Sequence, residues 1–155
     1  MSRVTNPRNK YACLILGAYQ MALDRVARGG DFLNWQPNPI ASQSSRVSAT
    51  DPAVLLRELD VAIRDNLQAR ATAIVARYGE QGHDPRGVFN LLLGYAISED
   101  GALHAEKYYR TVSEEFATTR PAFRWRQLTA LARVTASEFG RKAAGYEEAK
   151  GLLKV

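Results

Sequence analysis

The stretch Asp51–Gly79, DPAVLLRELDVAIRDNLQARATAIVARYG, decides the fold. Within it Leu56, Leu59, Ile63, Leu67, Ala71, Ile74 and Tyr78 recur at steps of three and four, the spacing that places side chains on one stripe of an α-helix. Thr50-Asp51-Pro52 offers a side-chain cap and then a proline, whose missing N–H is not needed in a first helical turn. Gly79 offers a stop, so the pattern predicts one helix over 52–78.

The same start signal recurs at His83-Asp84-Pro85 and at Thr119-Arg120-Pro121. Together these signals predict helices near 8–28, 52–78, 85–97, 101–117 and 121–140, with a short final one near 145–153. The fourth carries the stripe Ala105, Tyr109, Val112, Phe116, and the fifth carries Leu128, Leu131, Ala132, Thr135, Phe139. No alternating apolar run bounded by turn residues argues for a sheet, and no period repeats. The expected architecture is all-α: a single domain over 1–155, folded as a bundle of five or six helices whose short connections make consecutive helices antiparallel neighbours.

One segment breaks the order. Residues 31–49, DFLNWQPNPIASQSSRVSA, hold two prolines, four serines and the aromatics Phe32 and Trp35, and read as a long loop. Loops of this length inside a domain serve as lids or partner-binding arms, or simply connect, and Phe32 and Trp35 are the expected interface residues.

The 155 residues, 46% hydrophobic and 24% charged, suffice for one buried core. The lone Cys13 excludes an intramolecular disulfide and fits a reducing compartment, so a cytoplasmic protein is expected. Arg3, Arg8 and Lys10 precede the apolar run from Tyr11 to Ala18, as in a secretory signal, but polar residues return at Gln20, Asp24 and Arg25 at helical intervals. No segment is long enough to span a bilayer.

The net charge of +5 is unevenly placed: 1–30 carries five positives and one negative, 51–119 seven and eleven, 120–142 six and one. In RPAFRWR the arginines Arg120, Arg124 and Arg126 accompany Phe123 and Trp125. Arginine beside flat rings grips anions and stacks on bases, and the open N–H groups of a helix start add to the pull. With no nucleic-acid motif and no basic tail, a small anion or an acidic protein is the expected partner of Arg120, Arg124, Arg126 and Trp125 rather than nucleic acid. The same residues also suit a solvated helix face on which arginine stems cover aromatic surface.

Chemistry, if present, gathers near one histidine. On a helix His104 neighbours Tyr108 and Asp100, so Asp100 could orient His104 as a general base with Tyr108 as proton donor, while Glu106 faces Arg110 instead. The same cluster also reads as ordinary helix-surface pairs around a boundary histidine. With two histidines, one cysteine and no paired Glu-x-x-His, no metal site is expected, and nothing in the sequence names a cofactor. No G-x-S-x-G elbow and no phosphate-binding G-x-x-x-x-G-K occurs.

Three function classes remain, the least expected being nucleic-acid binding through 120–142. The first is a small soluble helical protein that self-associates and serves as an accessory or interaction module, with an anionic ligand as a further partner. The second is a small α-helical enzyme or ligand-binding protein that uses His104 as general acid/base in a pocket between helices.

Overall fold

A computed structural model describes residues 6–27, 36–99, 104–142 and 144–154. Among them lie eight helices and no strand: α1 Pro7–Ala27, α2 Ala41–Ser44, α3 Pro52–Arg64, α4 Gln68–Glu80, α5 Arg86–Ala96, α6 Ala105–Thr118, α7 Pro121–Glu138 and α8 Tyr146–Leu153. The protein is all-α, as the periodicity requires. The count of five or six is corrected to eight for two reasons. A four-residue helix, α2, forms inside the expected loop, and the helix expected over 52–78 is two helices.

The second break has a local cause. Asn66 adopts a left-handed backbone with φ 54°, which ends α3, and its side-chain amide donates to the carbonyls of Ala136 and Phe139 at 2.9 and 3.1 Å. Asparagine tolerates this conformation better than most residues, and here the turn is tied to the end of α7. The apolar stripe runs across the break without a missed step, so periodicity does not register it.

The chain divides into two units, residues 1–37 and 38–155. The first contains α1, which has no buried residue.

The second unit holds α2–α8, with α4 and α7 as its central pair. Ala71, Thr72, Ala73, Ile74 and Val75 of α4 are all buried in succession, as befits a helix covered on nearly every side. Three of those five side chains are small, so neighbouring backbones come close. Around the pair, Leu55, Leu59 and Ile63 of α3, Val88 and Leu92 of α5, Phe116 of α6 and Leu128, Leu131 and Ala132 of α7 complete the core. Each large aliphatic buried here contributes about 1.5–3 kcal/mol. Val47, which follows α2, is also buried, so the later part of the expected loop is anchored in the core. Phe32 and Trp35 lie outside the described residues.

The start signals work unequally. Asp51 accepts a hydrogen bond from Val54 N at 2.9 Å ahead of Pro52, and Asp84 accepts from Arg86 N at 2.9 Å beside Pro85. Pro121 opens α7, but no side chain caps it.

Candidate functional site

In RPAFRWR the helix α7 divides its residues between core and surface. Trp125 turns inward, where a Cβ placed on Gly79 of α4 would stand 2.4 Å from the indole. The bare backbone of Gly79 is what admits the ring. Trp125 also meets Tyr78 and Phe116, at centroid separations of 6.1 and 5.8 Å. Phe116 continues to Phe89 at 5.2 Å and Phe89 to Tyr109 at 6.0 Å, so a chain of edge-on rings crosses the bundle. Arg124 lies over Phe116 at 5.5 Å, and its buried Nε has no hydrogen-bond partner among the described residues. Arg120 and Arg126 are exposed and lie over the ring of Phe123 at 5.1 and 4.9 Å. The arginines expected to act together therefore have different surroundings, with Arg120 and Arg126 forming the solvent-facing pair.

His104 is exposed at the start of α6, and its ring meets that of Tyr108 edge-on at 6.3 Å. Asp100 lies outside the described residues. Glu99 is engaged with the hydroxyl of Tyr146, which donates to it and holds its carboxyl below the usual range. Tyr108 borders a small cleft with Tyr95, Leu131, Thr135 and Phe139 whose free space is about 20 Å³. That is room for a single water.

The second histidine has a defined place. His83 Nε2 lies 2.9 Å from the Thr50 carbonyl and 3.0 Å from the Gln81 side-chain amide, and its ring packs edge-on to Tyr78 at 4.9 Å. It fastens the α4–α5 connection to the start of α3. Among the described residues no three His, Cys, Asp or Glu side chains converge to hold a metal ion.

Sequence reasoning missed a charged cluster between α3 and α5. The Tyr95 hydroxyl donates to Asp60 Oδ1 at 2.5 Å, Arg64 Nε donates to Asp60 Oδ2 at 3.0 Å, and the Arg64 guanidinium lies 5.9 Å from the Tyr95 ring centre. Burial and then the Asp60 carboxylate push the Tyr95 phenol far up. Burial alone would raise Asp60, but the Tyr95 and Arg64 hydrogen bonds outweigh it and its carboxyl lies below its ordinary value. A phenol held protonated and a carboxylate already carrying two donors are poor proton acceptors. This cluster joins α3 to α5.

The largest unfilled apolar surface belongs to α1. Tyr11, Leu14, Ile15, Leu16, Tyr19, Met21 and Val26 are between 61% and 81% exposed and cover a broad arc of the helix, the remaining face carrying Lys10, Gln20 and Asp24. No helix among the described residues is long and apolar enough to cross a membrane. No protein-family model matches the chain, and no curated protein or solved structure matches it either.

Proposed function

We propose that the protein is a helical accessory or interaction module that self-associates through α1. The observation carrying this reading is that α1 exposes seven large apolar side chains over a broad arc of its surface and has no buried residue. A helix of this kind is stable in water only when other surfaces enclose it.

A second copy of α1 suits it. Lys10, Leu14, Gly17, Met21 and Asp24 are three or four residues apart and form one stripe with a cation at one end and an anion at the other. In an antiparallel pair crossing at Gly17, each Lys10 meets the partner's Asp24. Gly17 has no atom within 4 Å of where a Cβ would stand, so two backbones can approach there. The apolar residues on the other sides favour assembly beyond a single pair of helices.

Native mass spectrometry of the full chain tests this. An oligomer is expected, and Leu14→Glu with Met21→Glu should convert it to a monomer while Trp125 fluorescence, read in a Trp35→Phe background, stays unchanged. A wild-type monomer at micromolar concentration sinks the proposal.

A further inference from the structure

Two adjoining hollows lie where α2, the α3–α4 turn and α4 come together. The larger, about 610 Å³, is lined by Gln43, Arg46, Asn66, Leu67, Gln68, Ala69 and Arg70. The smaller, about 290 Å³, is lined by Arg57, Glu58, Val61, Ala62, Leu67 and Arg70. Leu67 and Arg70 border both, so the two form one groove.

The groove is unbalanced in charge. Its lining carries three arginines against one carboxylate, and that carboxylate is already taken, since Glu58 Oε2 lies 2.7 Å from Arg70 Nη2. Arg46 and Arg57 form no ion pair among the described residues. Arg46 borders the larger hollow and Arg57 the smaller, so two unpaired guanidiniums line one continuous groove and attract an anion with more than one charge or more than one acceptor oxygen. The first turn of α4 adds to the field, because it has no side-chain cap and no acidic residue.

The walls are not wholly polar. Leu67 is 50% exposed and Val61 55% exposed, both in the groove. Isolated exposed leucines and valines are common, but two beside unpaired arginines offer an apolar body a place next to an anionic head.

We infer that this groove binds a small organic phosphate, its phosphate between Arg46, Arg57 and the start of α4 and its apolar portion against Leu67 and Val61. No residue that lines the groove belongs to α1. The site also differs from the exposed Arg120 and Arg126 pair on α7.

Phenyl phosphate is the probe, titrated into the ¹⁵N-labelled full chain and followed by amide shifts. Saturable shifts are expected at Arg46, Leu67, Gln68 and Arg70, with inorganic phosphate about tenfold weaker for lack of the apolar contact. Arg46→Glu and Arg57→Glu should each weaken binding about tenfold. Both residues are exposed and unpaired, so neither change should disturb folding, which the unperturbed remainder of the spectrum checks. Arg120→Glu should leave the affinity unchanged. Shifts that do not saturate by about 10 mM, that centre on α7, or that persist unchanged in both groove variants overturn the inference.

Discussion

Trp125 and Gly79 form an obligate pair: the indole occupies the space in which any side chain at 79 would begin, with Cδ2 standing 2.4 Å from an ideal Cβ position. Alanine is the better helix former by about 1 kcal/mol, so Gly79→Ala would stabilise an exposed helix. Here the large ring must move instead, and it is packed on both sides by Tyr78 and Phe116. Gly79→Ala should cost about 1–3 kcal/mol net. Trp125→Ala should cost about 3–5 kcal/mol. In the Trp125→Ala background Gly79→Ala should become neutral or stabilising, a reversal that urea denaturation of the four chains would show as a coupling energy. Additive effects would mean that the ring does not rest on Gly79.

Asn66 makes two contributions that substitution can separate. Its backbone is left-handed, and its amide holds the carbonyls of Ala136 and Phe139. Asn66→Gly keeps the backbone at ease and removes only the hydrogen bonds, each worth about 1 kcal/mol. Asn66→Ala adds a strain of about 1 kcal/mol to the same loss. Glycine should therefore be the milder change, and equal melting temperatures for the two variants would show that backbone strain contributes nothing.

The Asp60–Tyr95 pair gives stability a pH dependence with two limbs. Asp60 lies below its ordinary value in the fold, so its contribution is complete above the usual carboxylate range and is lost as pH falls through its folded pKa. Tyr95 is raised, so its contribution is complete below the usual phenol range, near about 10, and is lost as pH rises beyond it. Tyr95→Phe removes the phenol and one of the carboxylate's donors together. Urea midpoints measured against pH should fall at both extremes for the wild type, and both limbs should flatten in Tyr95→Phe. Unchanged limbs in the variant would assign the pH dependence to other groups.

The helical class was legible because the apolar spacing in 51–79 and the Asp-Pro starts are local signals. Asp51 does cap the helix it precedes, through Val54 N, whereas Asp84 accepts from Arg86 N in the turn before α5, which has no side-chain cap. The break at Asn66 was marked only by the dipeptide Asp65-Asn66, and the uninterrupted stripe through Leu67 masked it. Leu67 accordingly ends half exposed rather than in the core. Longer-range features left no trace. Trp125 has the same letters around it whether it faces Gly79 or a ligand, and the Asp60–Tyr95 bond joins residues 35 apart that no spacing rule connects. The groove arginines come from three separate stretches, Arg46 after α2, Arg57 in α3 and Arg70 in α4, so their placement along one groove depends on how these pack.

The two histidines differ in what removing them should do. His83 ties the end of α4 to Thr50, so His83→Ala loses its polar contact with the Thr50 carbonyl and Gln81 and an edge-on ring contact with Tyr78. A loss of about 1–3 kcal/mol is expected. His104 is exposed and meets Tyr108 across 6.3 Å at the helix surface, so His104→Ala should change stability by less than about 0.5 kcal/mol. Thermal melts of both variants give the comparison directly. If His104→Ala proves as costly as His83→Ala, His104 is a structural residue and cannot be freely spent on proton transfer. If it is silent in stability, any ligand or turnover found for this protein can be tested against His104 without a folding defect confusing the result.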